Sequence, residues 1–134
     1  MKKDKSLTVE YKSVETRAIA SPDLWGPAFW FTLHNSSAQY PETPSLFYQE
    51  KMKSFILGLS CMIPCERCAI HAASYISTNE KHLDTVVKSR DSLFNFFANF
   101  HNFVNERTGK DKISLQDIRN KFINPTKVEF ITYY

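Results

Sequence analysis

Glycine is scarce, with three in 134 residues. Rossmann units and phosphate-binding loops need glycines where the backbone turns tightly or approaches a phosphate, so neither is expected. Long hydrophobic runs are missing too. The longest near-apolar stretch, Phe55 to Pro64, is about half of the ~20 residues that a membrane-spanning helix requires, so no membrane association is expected. Neither sign of charge dominates: 17 Lys and Arg stand against 14 Asp and Glu, a net +3. With a pI of 8.7 the chain falls short of the basic signature of a nucleic-acid module, and no nucleic-acid partner is expected. The first twenty residues carry Lys2, Lys3, Lys5, Lys12 and Arg17 among acids and hydroxyls, in place of the apolar core of a secretory signal. A cytoplasmic, reducing location is expected, not a secreted one. Cysteine is also sparse. Three residues, an odd number, do not make the disulfide framework of a small secreted domain.

What the chain has in quantity is aromatic side chain. Hydrophobic residues make up 43% and aromatics 14%, with 11 Phe, 6 Tyr and 2 Trp, which excludes intrinsic disorder for most of the length and supports one ordered domain. Residues 1–20 are polar without apolar period and read as a flexible arm. Ser21-Pro22-Asp23 then combines a capping residue, a proline suited to the first helical position and an acid for the positive helix end. This first helix is expected to reach about Gln39, with Leu24, Phe29, Trp30 and Leu33 available to its buried side, and to end at Tyr40-Pro41. Pro44-Ser45 opens a second helix carrying Leu46, Phe47, Met52, Phe55, Ile56 and Leu59 up to Pro64. Pro64 breaks that run, so a third helix is expected from Cys65 to about Ser77.

Residues 80–88 are ambiguous. From Arg90 to Arg107, Leu93, Phe96, Phe97, Phe100, Phe103 and Val104 form an apolar helical stripe with Asn95, Asn99 and Asn102 opposite. Gly109 is a natural stop. Ser114-Leu115-Gln116-Asp117 starts a short fifth helix ending near Asn124-Pro125. The expected fold is all-α: a four-helix bundle with a short fifth helix, spanning residues 21–124, with residues 125–134 as a tail.

Cys61, Cys65 and Cys68 fall within eight residues, and Cys65-x-x-Cys68 is the spacing used for reversible thiol–disulfide chemistry. A helix that starts at Cys65 places its unpaired N–H groups where they stabilise a thiolate. One turn on, Cys68 stands at the ~5–6 Å separation that a disulfide prefers. Two other readings compete. Both cysteines could be small buried hydrophobes, or Cys61, Cys65, Cys68 and His71 could be the ligands of a zinc-stabilised helical interaction module. Structural zinc sites usually draw on two segments, whereas these four lie in eleven contiguous residues. A thioredoxin-like role would require a preceding strand, and none is visible.

Two further segments carry polar and aromatic groups suited to a cofactor. One runs from Trp25 to His34; the other is Phe100-His101-Asn102-Phe103-Val104-Asn105, with Lys110 beyond. His101 and Asn105, one turn apart, sit together at the edge of the apolar stripe. Combined with the CxxC, these residues resemble the Erv/ALR family of FAD-dependent sulfhydryl oxidases in order and spacing over about residues 25–118. The features are Trp30-x-x-Leu33-His34, Tyr40-Pro41, Phe55 ten residues before Cys65, Pro64-Cys65-x-x-Cys68, and His101-Asn102-x-Val104-Asn105 followed by Lys110. The Trp25-Gly26-Pro27 opening and the Cys68-x-x-His71 continuation look most like compact members encoded by large cytoplasmic DNA viruses.

The resemblance implies FAD within the bundle, commonly in a homodimer. It places Gly26, Trp30, His34, Tyr40 and His71 at the cofactor, with His101, Asn102, Val104, Asn105 and Lys110 around the adenine, ribose and phosphates. Cys68 would face the flavin and Cys65 the solvent. The implied activity is thiol oxidation: disulfides form in protein substrates, among them a thioredoxin-like carrier, and electrons pass to molecular oxygen to give hydrogen peroxide. A viral member would work in the host cytoplasm or the virion. Two departures stand out. The structural disulfide that the family often carries would fall at Ala98 and Leu115, where an apolar contact is expected in its place. The arm also lacks the shuttle cysteines of longer members.

Overall fold

Prolines and small hydroxyl residues set where the helices begin. The computed structural model describes residues 19–124. The expected arm, apart from Ile19 and Ala20, and the expected tail lie outside the described residues. Helix α1 spans Pro22–Ala38 with Pro22 at its first position and Asp23 in its first turn. Ser21 occupies the N-cap position without making the side-chain bond expected of it. Three other caps do form: Ser45, Ser89 and Ser114 accept from the N–H groups of Tyr48, Ser92 and Asp117. They open α2 (Leu46–Gly58), α5 (Arg90–Arg107) and α6 (Leu115–Phe122). Between α2 and α5 lie α3 (Glu66–Asn79), a 3-10 turn over Glu80–His82 and the single-turn α4 (Leu83–Val86). The described residues contain helices and turns and no strand, as the all-α expectation requires.

Two expectations need correction. The second helix stops at Gly58 and continues only as a 3-10 turn over Leu59–Met62. A proline ring clashes with the carbonyl one turn before it, so the disturbance of Pro64 begins near Ser60. It also pushes the preceding residue to extended backbone, and Ile63 is extended at φ −87°, ψ 118°. Leu24, assigned to the buried side of α1, is 68% exposed. It stands about 120° around the helix from Trp30, whereas the buried face is Gly26, Trp30, Leu33, His34 and Ser37.

Helix α5 is the centre of the molecule. It packs against α1, α3, α4 and α6, and its two sides serve two apolar clusters. Leu93, Phe96, Phe97 and Phe100 join Trp30, Leu33, Ile56, Leu59, Ala72, Ile76 and Leu83 in the main core. Phe94 and Ala98 meet Ile118 and Phe122 of α6 in the second. Burying each of these large side chains contributes about 1.5–3 kcal/mol against leaving it in water. The contact expected between Ala98 and Leu115 takes a different form. Ala98 is fully buried beside Ile118, Phe122 and Ile113, whereas Leu115 remains 36% exposed at the start of α6.

Candidate functional site

Pro64 and the extended residue before it turn the chain so that α3 begins at Glu66 with Cys65 as its N-cap, one residue later than expected. Cys65 and Cys68 are joined in a disulfide, with Cα atoms 5.2 Å apart. Cys65 Sγ also accepts the N–H of Cys68 at 3.2 Å. The same N–H and the positive end of a 14-residue helix would stabilise a thiolate at Cys65 once the disulfide opens. Cys68 packs against the main core. One sulfur is thus presented at the helix end and the other is set inward.

Cys61, the third candidate zinc ligand, is exposed in the 3-10 turn outside the disulfide. Among the described residues no group of three or more His, Cys, Asp or Glu side chains converges on a metal position. Two of the four residues that the zinc reading needs are bonded to each other.

Three of the expected cofactor residues form one stack. The Trp30 and His101 rings lie 4.1 Å apart and 2° from parallel, and His34 stacks at 5.1 Å on His101. All three are essentially inaccessible to solvent. His34 Nε2 and His101 Nδ1 are 2.8 Å apart and share one hydrogen bond. That bond needs one donor and one acceptor, so neutral rings satisfy it. Burial, followed by the neighbouring His101, pushes the His34 pKa down to about 3. Asn105, buried, lies one turn beyond His101 on α5.

Other expected residues lie along α1, α5 and the segments that follow them. Gly26 is buried in the first turns of α1, and Val104 packs against the main core. Lys110 follows Gly109, whose φ of 73° turns the chain back, and the Lys110 N–H donates to the Asn105 carbonyl at 2.7 Å. Asn102 does not share the buried face of its neighbours; both ends of its amide bond to the backbone of Ile113. Tyr40 lies two residues past the end of α1, buried, its hydroxyl donating to the Val87 carbonyl.

His71 lies one turn past Cys68. With Glu66, Arg67 and Ile70 it lines a groove of about 430 Å³ on the disulfide helix. Partial burial, then Arg107 and Arg67, lower its pKa. Sequence reasoning missed these two arginines. Arg107, in the last turn of α5, also lies 4.9 Å over the Phe103 ring, and only the packing of α3 on α5 brings it to His71. A larger cleft of about 700 Å³ lies among Ala38, Arg90, Arg119 and Phe122 and includes neither cysteine.

A flavin dinucleotide needs flat ring partners, a polar edge for its heterocycles and a cation for its phosphates. The residues present fit it. Trp30, His101 and His34 are flat rings of the kind a flavin or adenine stacks on, and the buried Nδ1 of His34 has no hydrogen-bond partner among the described residues. Lys110 is held next to Asn105 by the backbone bond above.

Comparison with known proteins agrees with this geometry. The sequence model of the Erv1 / Alr family matches residues 27–123. The chain is 42% identical over 104 residues to protein 096R of Invertebrate iridescent virus 3, covering 78% of this chain and 69% of that one. It is 36% identical over 96 residues to the FAD-linked sulfhydryl oxidase of African swine fever virus, covering 72% and 77% respectively. Among solved structures, the yeast Erv1 core superposes with a TM-score of 0.73 at 25% identity, over 87% of this chain and 95% of the other. A match across the disulfide, the ring stack and the helices that carry them leaves one assignment: the chain belongs to the Erv1 / Alr family.

Proposed function

We propose that this chain is an FAD-linked sulfhydryl oxidase that forms disulfides in protein substrates through Cys65 and Cys68. The observation that carries the reading is the disulfide at the start of α3, with one sulfur capping the helix and the other against the core. A substrate thiolate attacks Cys65 Sγ, a mixed disulfide forms, and Cys68 leaves as a thiolate. A second substrate thiol displaces Cys65, so the substrate gains a disulfide and the protein holds two thiols. The helix N-terminus stabilises the Cys65 thiolate that departs in this step. When bound, FAD supplies the two-electron acceptor that restores the Cys65–Cys68 disulfide and passes the pair to oxygen, giving hydrogen peroxide.

Trp30, His34, His101, Val104, Asn105 and Lys110, with Gly26, the Tyr40 ring and His71, are the residues we assign to holding FAD. A thioredoxin-like carrier is the protein substrate we favour, and the host cytoplasm the compartment, in keeping with the viral relatives. No described helix is long and apolar enough to cross a membrane. A homodimer accounts for the exposed Phe47, Tyr48 and Phe55 of α2, which fall within about 100° of one another around the helix, since exposed apolar side chains on one helix side mark an interaction surface.

The test is the purified protein itself. It is expected to carry about one FAD per chain and to consume oxygen with dithiothreitol, releasing one peroxide for each disulfide made. Colourless protein that binds stoichiometric zinc would overturn the reading.

A further inference from the structure

Asn102 lies within the motif that supplies His101 and Asn105, yet its side chain is committed elsewhere. Its Nδ2 donates to the Ile113 carbonyl at 2.7 Å, and the Ile113 N–H donates to its Oδ1 at 2.8 Å. The amide thereby grips a backbone unit eleven residues further on as a neighbouring strand would, through one donor and one acceptor at once. Between the two grips lies the turn that carries Lys110. Its near end is closed by Thr108 N–H to the Val104 carbonyl and Lys110 N–H to the Asn105 carbonyl. Its far end is closed by Asn102. Ile113 then packs into the cluster of Ala98, Ile118 and Phe122.

We infer that Asn102 is a positioning residue: it clamps the segment between Gly109 and Ser114 onto α5 and so holds Lys110 beside Asn105, without contacting the cofactor itself. This revises the role expected for Asn102 and rests on the proposed function only where flavin is concerned. The clamp joins α5 to the segment leading into α6, close to where Ala98 and Leu115 stand without a covalent link. The residue type is demanded by the geometry. Aspartate would keep the bond from the Ile113 N–H but set a carboxylate oxygen against the Ile113 carbonyl, and glutamine would carry the amide one methylene too far.

Two measurements decide it. The first is limited trypsin cleavage of the FAD-saturated protein, followed by mass spectrometry at the Lys112–Ile113 bond, because a cut there requires the Ile113 N–H to leave its clamp. Losing two hydrogen bonds should speed that cut by about tenfold in Asn102→Ala, with an intermediate rate in Asn102→Asp, which keeps one. Asn102→Asp also serves if the alanine variant does not fold. The second is FAD affinity in Asn102→Ala, Lys110→Ala and the double variant. If Asn102 acts through Lys110, the double variant binds FAD no more weakly than Lys110→Ala alone. Wild-type protection of Lys112–Ile113 in both Asn102 variants, or additive losses of affinity, would overturn the inference. A wild-type protein that binds no FAD would sink the proposed function, and the trypsin comparison would still judge the clamp.

Discussion

Helices α2 and α5 are both rich in apolar residues at helical spacing, and the fold treats them in opposite ways. Eight residues of α5 are buried. In α2 only Ile56 is, while Phe47 and Leu46 are 68% and 78% exposed. Helix α5 has neighbours on both sides and consumes its aromatics in two cores. Helix α2 lies at the edge, attached through Ile56, the turn that follows it and the Lys53–Asp84 ion pair to α4 at 2.7 Å. Apolar periodicity therefore identifies a helix but not what covers it, and the uncovered face of α2 is the surface we assign to a second copy.

Substitutions can break this contrast. Phe97→Ala in α5 removes a ring that is 2% exposed and should cost about 3–5 kcal/mol of stability in urea denaturation. Acid should weaken the α1–α5 contact next. His34 is neutral in the fold, its pKa at about 3 against 6.5 for the free side chain. Its contribution is present in full above about pH 6.5 and is lost as the pH falls towards 3, by roughly 1.4 kcal/mol per pH unit. Denaturation midpoints measured from pH 7 to 4 check the slope, and a flat profile would contradict a neutral His34. On α2, Phe47→Ser should leave helical content unchanged while sedimentation equilibrium shifts from dimer to monomer. If the wild type is already monomeric at micromolar concentration, the α2 surface has another occupant. The smallest effect belongs to Cys61→Ser. That side chain lies outside the disulfide, so dithiol turnover should stay within about twofold of wild type.

Much of the framework was legible because it rests on local rules. Ser45 and Ser114 act as the caps their positions suggest, α5 has the bounds its stripe implies, and Gly109 adopts the positive φ of a helix stop. The CxxC at a helix start follows from Pro64 in the same way. Less was legible where the partner is distant in sequence. The Asn102 clamp depends on Ile113, the setting of His71 depends on Arg107, and the exposure of Leu24 depends on which face of α1 meets α5. Residues 80–88, ambiguous by period, become a 3-10 turn and a single helical turn. Leu83 and Val87 are buried there by tertiary packing, with no amphipathic repeat to announce it.

The proposed division of labour between the two sulfurs, Cys65 towards substrate and Cys68 towards flavin, can be read from an absorption spectrum. In FAD-loaded Cys65→Ser the inward Cys68 thiolate should lie beside oxidised flavin and give a broad long-wavelength band, absent from Cys68→Ser. The band should titrate below the ~8.5 of an ordinary cysteine, because the N-terminal turn of α3 favours the anion. A band in Cys68→Ser and none in Cys65→Ser would reverse the two roles, with Cys65 against the flavin and Cys68 meeting substrate.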